Sequence, residues 1–456
     1  RVNNLVNGNW GNLLIELGKD CRLANREKRK ERQVREQEQD RVEVIMEKKR
    51  RNGLTLLAKG QISKAVKRIN SMGIRDMKDP LVIQQMEQKY PDRGHPLPDT
   101  VSRGQCVDNL NGLREVLLGL EGGVSPGTGG LRPEYLTCAA EVWGEEQMAL
   151  CEHFGMRYLN GMLPAWWYKV WKTLTTVALD KGNGAVRPVG IEPCLARSLH
   201  KVVNRKNKSV LTSFFEPQQL ALSVAGGAKL VHSVRMLAEE NPGFVVVKCD
   251  IRNAFNSVSR GRILEVLESE DSLRHLTWHA ALSLASSNAL ESGGEVWGQA
   301  KEGTTQGNPE AGTYFCVAWH PQVRDLDMVL AEAGGAATLG MDDLFAIGPP
   351  DIVFPALERF IQNIRETCLL ELERSKTQVF TWDSELPAST PAGYSRAGIM
   401  IDGQFKPGFM CYGIPVGSPE YVRHELSVKV QEVAREVENI VKVAKISTPY
   451  WRSWLT

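Results

Sequence analysis

Two adjacent aspartates mark the stretch TLGMDDLFAIG, residues 338–348. Asp342 and Asp343 lie between short apolar runs, a pattern that predicts two strands joined by a tight turn. Two carboxylates about 4 Å apart repel each other by about 4 kcal/mol at an effective dielectric constant of about 20. An acidic hairpin turn explains the pair taken alone, whereas a bound cation would explain why the repulsion is tolerated.

A third acid ends another apolar run. In VVVKCD, three valines, a lysine and a cysteine lead to Asp250 at the end of a predicted buried strand, where a side chain is held on a rigid platform. Taken alone, Asp250 is best explained as a strand-ending or helix-capping residue. Together, three acids at strand ends can converge on two divalent cations, and hard oxygen ligands suit Mg²⁺. Two such ions about 3.5–4 Å apart would activate an attacking oxygen and stabilise a leaving one in phosphoryl transfer.

Strands and helices are mixed around these acids. WKTLTTVALDKGNGAVRPVGI predicts a strand hairpin with a Gly-Asn-Gly turn. Helices are predicted for VDNLNGLREVLLGL and for the basic segment LARSLHKVVNRKNKSVLTSFF, and a helix followed by a strand for PALERFIQNIRETCLLELERSKTQVF. Because strands and helices do not alternate regularly as βαβ units, the pattern favours an α+β fold.

The bulk composition excludes few classes of protein. The 456 residues are 42% hydrophobic and 24% charged, with a net charge of +2, values that are ordinary for a globular protein. The segment from Lys19 to Arg51 is dense in both signs with a basic surplus, which indicates either a solvated charged segment or a nucleic-acid-facing arm. Nine cysteines without zinc-site spacing predict reduced thiols in an intracellular compartment. No apolar run approaches the roughly 18 residues needed to cross a bilayer.

The order of three motifs resembles a known family. CDIRNAF, GTTQGNP and GMDDL, in that order, resemble the palm motifs of reverse transcriptases, most of all those of the polymerase domain of non-LTR (LINE-like) retrotransposons. The resemblance covers about residues 100–425 and includes SPGTGGLRPEYL, RPVGIEPCLARSLHKVVNRK, QLALSVAGGAKLVHSVR, SKTQVF and YGIPVGSPEYV. It implies a right-hand polymerase in which fingers, a palm with an antiparallel sheet and the start of a helical thumb follow a charged helical N-terminal arm.

A proline-rich connector, residues 90–104, predicts a domain boundary. With the resemblance, the expected organisation is a charged arm and linker over 1–99, fingers with part of the palm over 100–240, the palm over 241–417, and the start of a truncated thumb over 418–456. Because the chain begins with Arg1 rather than methionine, we expect it to be a piece of a longer polypeptide.

The resemblance assigns metal ligation to four positions. Asp250 and Asp342 match the principal ligands, Asp343 matches the second acid of the hairpin, and Ile251 would offer its backbone carbonyl. The implied cofactor is a pair of Mg²⁺ ions, with Mn²⁺ as an alternative.

Other positions match cations that hold the incoming nucleotide. Lys181 and Arg187, on the two arms of the predicted hairpin, match residues that grip the triphosphate, and arginine can engage phosphate through a bidentate fork. Lys376 in SKTQ matches a lysine that protonates departing pyrophosphate. Taken alone, all three are also explained as exposed charges on strands.

Phe255 and the Gln306-Gly307 pair complete the implied nucleotide site. Phe255, five residues after Asp250, matches a bulky residue that packs against the sugar and clashes with a 2′-hydroxyl, which implies a preference for deoxynucleotides. A buried core phenylalanine is the alternative. Gln306 and Gly307 match the motif that packs against the nascent base pair and template, with a polar turn before a helix as the alternative.

Two further groups of residues are candidates for nucleic-acid binding. Cations on the basic helix would contact phosphates: Arg197, Lys201, Arg205 and Lys206. A solvated helix face is the alternative for them. Tyr412 and Gly413, in the sequence MCYG, match the region of the primer grip.

Two positions depart from the family pattern. Gly340 stands where the family usually has an aromatic residue, often tyrosine, so less surface is left for the primer terminus to pack on. In Asn308-Pro309-Glu310, a glutamate stands where the family more often has a small or apolar residue.

The resemblance therefore implies an RNA-directed DNA polymerase whose partners are an RNA template, a DNA primer or target, and dNTPs, with no membrane. It also implies an intracellular location, either in the nucleus or in both nucleus and cytoplasm as a ribonucleoprotein. One alternative is an RNA-directed RNA polymerase on the same palm, against which Phe255 argues. The other is a non-catalytic or decayed RNA-binding relative, against which the retained acids argue, because folding alone does not favour adjacent buried carboxylates.

Overall fold

The computed structural model describes residues 73–92, 94–182 and 184–446, so the charged arm predicted before residue 73 lies outside it. Residues 73–427 belong to one compact unit, and residues 428–446 belong to a second unit.

The helices of the described part are α1 Pro80–Glu87, α2 Leu113–Leu118, α3 Pro133–Val142, α4 Glu145–Leu159, α5 Ala165–Trp171, α6 Cys194–Lys206, α7 Lys208–Phe215, α8 Gly226–Glu240, α9 Ala254–Ser257, α10 Arg260–Ser269, α11 Thr277–Leu284, α12 Ala311–Ala331, α13 Pro350–Cys368 and α14 Pro419–Ile446. The strands are β1 Ile74–Arg75, β2 Leu174–Asp180, β3 Val186–Ile191, β4 Val245–Cys249, β5 Asn288–Ser292, β6 Glu295–Ala300, β7 Ala336–Gly340, β8 Asp343–Gly348, β9 Gln378–Phe380, β10 Ser395–Arg396, β11 Gly398–Ile401, β12 Gln404–Cys411 and β13 Ile414–Gly417.

A five-stranded sheet carries β4 at its centre. Its strand order is β10-β9-β4-β8-β7. Strand β4 is antiparallel to both β8 and β9, and β7 and β8 form an antiparallel hairpin. The register pairs Cys249 with Leu344 and Gly340 with Asp343. The end of β4 and the turn between β7 and β8 therefore lie at the same edge of the sheet.

Both faces of this sheet are covered, which is why β4 is apolar at nearly every position. Val245 and Val247 belong to one core with Phe315 of α12. Val246 points to the other face and belongs to a second core with Val234 of α8. Each such buried side chain contributes about 1.5–3 kcal/mol, so the packing on both faces fixes the strand that ends at Asp250.

The predicted strand hairpin forms β2 and β3 in a second sheet. The order of that sheet is β1-β2-β5-β6, with β3 also paired to β2. Gly182 and Gly184 lie at φ +84° and +80°, a region that other residues rarely adopt, and they allow the chain to reverse between the strands.

The packing around this second sheet differs from the expected domain boundaries. Strand β1 pairs with β2, and Val82 and Met86 of α1 are buried against Ala178 and Val186. Residues 73–92 and 94–99 are therefore part of the compact unit rather than of an N-terminal arm. Strand β5 pairs with β2, and β6 pairs with β5, so part of the stretch expected to form the palm belongs to the second sheet.

A third, smaller sheet consists of β11, β12 and β13 in antiparallel order. Tyr412 and Gly413 form the two-residue turn between β12 and β13, at φ +51° and +78°, as in a type I′ hairpin. The Lys248 Nζ on β4 donates to the Met410 carbonyl at 2.9 Å. This bond ties the turn of the small sheet to the central one.

The mixed α/β fold predicted from the sequence is confirmed, with two differences in its helices. Helix α2 has only six residues because Gly112, at φ +95°, begins it. The basic segment predicted as one helix forms two, α6 and α7, and Asn207 ends the first by donating its side-chain amide to the Val203 and Cys106 carbonyls. Among the described residues, none of the helices has the length and apolar character that a membrane span requires.

His320 on α12 is a buried histidine whose titration tests the packing of the core. It is 1% exposed, and the rings of Phe214 and Phe215 lie 4.8 and 5.3 Å from it, centroid to centroid. Burial, and then the charge of Arg324, lowers the pKa of His320 to about 4. Since this value lies below that of the unfolded chain, about 6.5, the neutral ring stabilises the fold fully above about pH 6.5. That contribution is lost as the pH falls toward 4.

Between about pH 7 and about pH 4.5 the free energy of unfolding should fall in the wild type. In His320→Gln we expect this fall to be smaller by about 2–3 kcal/mol. The measurement is urea-induced unfolding of wild type and variant at both pH values. The exposed His232 provides the control, because His232→Gln should keep the wild-type difference. If the free energy of unfolding falls by the same amount between the two pH values in wild type and in His320→Gln, the lowered pKa of His320 is contradicted.

Candidate active site

Three acids meet at the edge of the central sheet. Asp250 follows the last residue of β4, which pairs with Leu344 of β8, and Asp342 and Asp343 lie at the adjoining turn between β7 and β8. The charge of Asp250 raises the pKa of both hairpin acids, in addition to the effect of burial. The structure therefore brings the two predicted motifs together as one carboxylate cluster.

This cluster is electrostatically unfavourable without a cation. Burial raises the pKa of Asp342, and the charges of Asp343 and Asp250 raise it further. Burial also raises the pKa of Asp343, which Lys248 opposes. Raised pKa values mean that ionising these acids costs free energy in the folded protein. A divalent cation would relieve this cost, and an all-oxygen donor set is the one that Mg²⁺ prefers.

The backbone after Asp250 is held in one orientation. The Arg252 N–H donates to the Glu371 carbonyl and the Glu373 N–H donates to the Asp250 carbonyl, both at 2.8 Å. Because successive peptide groups alternate in direction along an extended chain, the Ile251 carbonyl is directed away from residues 371–373. The three acids and this carbonyl offer only oxygen donors, the ligand type that hard cations such as Mg²⁺ prefer.

Cations from two separate elements surround the acids. Lys376 Nζ lies 3.3 Å from Asp250 Oδ2. Arg187 on β3 lowers the pKa of Asp342, against the larger effect of burial. Burial lowers the pKa of Lys181, neighbouring cations including Arg187 lower it further, and Asp250 raises it. The two cations of the β2–β3 hairpin are therefore close enough to the acids to interact with them electrostatically.

Lys89 is a further member of this group that the sequence analysis missed. Its charge helps to lower the pKa of Lys181, after the larger effects of burial and Arg187. Its carbonyl accepts a hydrogen bond from Asn253 Nδ2 at 2.9 Å. No sequence pattern marks this lysine, because it immediately precedes the proline-rich connector and falls within the predicted arm.

Phe255 is held firmly but is not fully buried. Its ring stacks on that of Phe315, with centroids 4.9 Å apart and planes at 28°. Its carbonyl accepts from the Thr304 N–H at 2.6 Å. One side of the ring thus packs on the core while the residue keeps partial exposure, an arrangement compatible with either the core or the sugar-contacting interpretation.

The Gln306-Gly307 loop packs against the second sheet. The Gly190 N–H, on β3, donates to the Gln306 carbonyl at 2.9 Å. Gly307 lies at φ +116°, and a Cβ there would come within 2.2 Å of the Gly190 carbonyl oxygen. Glycine is therefore required at this position, and the loop is docked beside the hairpin that carries Lys181 and Arg187.

Gln219 fixes the backbone of the acidic turn through two hydrogen bonds. Its Oε1 accepts from the Met341 N–H at 2.9 Å and its Nε2 donates to the Met341 carbonyl at 3.0 Å. Met341 lies at φ +58°, a conformation that costs a non-glycine residue free energy and persists only where the surroundings enforce it. The buried Gln219 is therefore a positioning residue for Asp342, and the sequence analysis did not identify it.

We expect Gln219→Leu to lower nucleotide incorporation by about 10- to 100-fold, because misplacing a catalytic group by about 1 Å can cost as much. Steady-state single-nucleotide incorporation measures the effect. Gln218→Leu is the matched control, since the Gln218 amide donates to Asp327 on α12 and not to the turn. Equal activity in the two variants would show that the Gln219 contacts do not position the acids.

Tyr412 occupies the space that a side chain at Gly340 would need. A Cβ on Gly340 would lie 2.2 Å from Tyr412 Oη and 2.5 Å from its Cζ. Burial raises the pKa of Tyr412 to about 12, with further contributions from the charges of Asp343 and Asp342. The aromatic ring that the hairpin lacks at Gly340 is thus supplied from the turn of the small sheet.

We expect Gly340→Ala to destabilise the protein by about 1–3 kcal/mol, because an added methyl group forces the tyrosine out of its place. Adding Tyr412→Gly should recover much of this loss, giving a coupling energy of about 1 kcal/mol or more in a double-mutant cycle. Chemical unfolding measures all four proteins. Gly243→Ala, at a glycine with open space around it, should be neutral, and additive effects at positions 340 and 412 would contradict the contact.

Helix α6 presents its predicted phosphate-binding residues opposite its buried face. Lys201 and Arg205 are exposed. Arg197 Nη2 donates to the Ser125 carbonyl and Lys206 Nζ donates to Asn109, each at 2.6 Å. Two of the four cations are therefore turned to solvent alone, and two also tie loops to the helix.

No protein-family model and no curated protein matches the chain. The solved structures that are similar to part of it include two telomerases. Telomerase from Candida albicans, in complex with a TWJ fragment of telomeric RNA, is 11% identical over 56% of this chain and 47% of that one, with a TM-score of 0.37. Apo telomerase from Candida tropicalis, truncated from the C-terminal domain, is 11% identical over 54% of this chain and 55% of that one, with a TM-score of 0.38. The similarity spans about half the length of each of these proteins.

Proposed function

We propose that the chain is an RNA-directed DNA polymerase of a non-LTR retrotransposon, which extends a DNA primer with dNTPs on an RNA template. The observation that carries this proposal is the cluster of Asp250, Asp342 and Asp343 at one sheet edge, with cations of the β2–β3 hairpin facing it. The order of the sequence motifs supports the retrotransposon assignment.

In this proposal the three acids and the Ile251 carbonyl hold two Mg²⁺ ions, or Mn²⁺ in their place. When bound, such ions supply activation of the primer 3′-hydroxyl and stabilisation of the leaving oxygen. Burial and neighbouring carboxylates raise the pKa of Asp342 and Asp343, so ionising them costs free energy, and binding a cation would offset that cost.

The remaining residues bind and orient the substrates. Lys181 and Arg187 hold the triphosphate of the dNTP against the acids, and Phe255 contacts its sugar. Lys376, whose Nζ is 3.3 Å from Asp250 Oδ2, is placed to transfer a proton from Nζ to the departing pyrophosphate. The Gln306-Gly307 loop supports the nascent base pair.

The nucleic acid is held mainly through its phosphates. The exposed cations of α6, Lys201 and Arg205, are candidates for this contact, and the Tyr412-Gly413 turn lies beside the acids where a primer terminus would be. Binding through phosphates should weaken steeply with added salt.

Nucleotide and template preference test the proposal against its nearest alternative. Primed RNA and primed DNA templates are offered to the full chain with Mg²⁺ and either dNTPs or rNTPs. Extension on RNA with dNTPs supports reverse transcription, whereas extension with rNTPs alone would identify an RNA-directed RNA polymerase. Binding of RNA without extension by the folded protein would favour a non-catalytic relative.

A further inference from the structure

A second cluster of potential ligands lies buried behind the Gln306-Gly307 loop. His200, His279 and Glu310 are 1%, 2% and 1% exposed, and one nitrogen or oxygen atom from each lies within 4.8 Å of the others. Glu192, between β3 and α6, lies beside them with its side chain 12% exposed. None of these residues takes part in the proposed polymerase chemistry.

The cluster joins elements that are distant in the sequence. His200 is on α6, His279 is on α11, and Glu310 immediately precedes α12. Glu310 is one of the two residues at which the chain departs from the family pattern. Burying two carboxylates is costly unless their charge is compensated, so a specific partner must account for a glutamate at this position.

The distances among the donor atoms suit a small transition-metal ion. His279 Nε2 lies 3.0 and 3.1 Å from the two Glu310 oxygens. His200 Nδ1 lies 3.8 Å from Glu310 Oε2 and 3.1 Å from Glu192 Oε2. In a tetrahedral Zn²⁺ site with bonds of about 2.0–2.1 Å, neighbouring donor atoms are about 3.3 Å apart. These four separations, 3.0–3.8 Å, bracket that value, and the donor atoms of His200, His279 and Glu310 all lie within 4.8 Å of one another.

The surroundings of the cluster also resemble those of a metal centre. The Tyr158 hydroxyl lies 3.3 Å from His200 Nε2, a contact that fixes the orientation of the ring, as partners of metal-bound histidines do. A cavity of about 40 Å³ is lined by His200, His279, Glu192 and Tyr158. That volume has room for an ion and a water molecule.

We propose that His200, His279 and Glu310, with Glu192 as the fourth ligand, bind one structural transition-metal ion of the Zn²⁺ class. Two neutral imidazoles and two carboxylates neutralise the charge of such an ion, and histidine nitrogen with carboxylate oxygen is a donor set that zinc accepts. The ion would join α6 and α11 to the start of α12. It would thereby hold the loop that carries Gln306 and Gly307, because Asn308 of that loop donates to Glu192. The proposal does not depend on polymerase activity.

Metal content tests this proposal directly. The full chain is loaded with Zn²⁺, passed through gel filtration in Mg²⁺ buffer and analysed by inductively coupled plasma mass spectrometry. We expect about one tightly held Zn²⁺ per chain in the wild type. In His279→Gln and in Glu310→Gln the Zn²⁺ content per chain should be at least 10-fold lower. Replacement by Co²⁺ should give a visible ligand-field spectrum in the wild type that the same variants lack.

Two controls separate this site from other zinc-binding groups. His320→Gln alters another buried histidine, and Asp342→Asn alters the catalytic acids; both should retain the metal. Circular dichroism verifies that each variant is folded. A wild type that keeps no Zn²⁺ after gel filtration would overturn the proposal whatever the variants do, as would equal Zn²⁺ in wild type and His279→Gln. In either event the carboxylates are compensated by a proton on His200: burial lowers the pKa of that histidine, but Glu310 and Glu192 outweigh it and raise the pKa to about 9.

Discussion

Asp342→Asn is expected to lower templated nucleotide incorporation by about 10³-fold or more while the protein stays folded and binds RNA. A metal ion contributes several kcal/mol of transition-state stabilisation, and about 4 kcal/mol corresponds to about 10³ in rate. Asparagine keeps the size of the side chain but removes the negative charge that holds the cations. Pre-steady-state incorporation of one nucleotide, with RNA binding measured in parallel, gives both quantities.

The stability of the same variant separates lost chemistry from lost structure. The pKa of Asp342 is raised in the folded protein, so its contribution to stability is present below the unfolded-state pKa and is lost as the pH rises through the folded-state value. Without divalent cations at neutral pH, the Asp342→Asn variant, whose side chain is uncharged, should therefore be at least as stable as the wild type. Asp351→Asn, at an exposed aspartate on α13, should change neither rate nor stability. Activity retained in Asp342→Asn would remove this acid from the reaction.

Phe255→Val is expected to reduce discrimination between dNTPs and rNTPs by about 100-fold, which corresponds to about 3 kcal/mol. In the proposed function the ring contacts the sugar, and a smaller side chain leaves space for a 2′-hydroxyl. Because Phe255 stacks on Phe315, the substitution also costs some stability. The informative quantity is therefore the ratio of kcat/KM for a dNTP to that for the matching rNTP, which loss of folded protein does not alter.

The same measurement separates the two interpretations of Phe255. A residue that only fills the core would lower the incorporation of both nucleotides equally and leave the ratio unchanged. Ala254→Gly, next to Phe255 and buried, is a control for disturbance of α9 and should also leave the ratio unchanged. An unchanged ratio in Phe255→Val would contradict the sugar-contacting role.

The positions of the acids could be predicted from the sequence because strong local patterns surround them. The run of valines before Asp250 requires burial on both faces of a sheet. The apolar runs around Asp342 and Asp343 form the hairpin that those runs predict. The β2–β3 hairpin was likewise predictable from its glycines. Each of these features depends on residues that are neighbours in the chain.

The remaining contacts could not be predicted because they join segments far apart in the sequence. Gln219 is 122 residues from the Met341 backbone that it holds, and the contact depends on the pairing of Gln219 with Leu339 of β7. Tyr412 reaches Gly340 from the small sheet, which is held to the central sheet by Lys248 and by a shared apolar core. Gly340 and Glu310 were recognised as departures from the family pattern, but the sequence offered no reason for either.

Templated incorporation of a single deoxynucleotide by the full chain is the most direct test of the central proposal. A primed RNA template is mixed with protein, Mg²⁺ and one dNTP at a time. The proposed function predicts addition of only the nucleotide complementary to the template, dependent on Mg²⁺ and absent in Asp342→Asn. A folded wild-type protein that binds the primed RNA but adds no nucleotide with either Mg²⁺ or Mn²⁺ would contradict it.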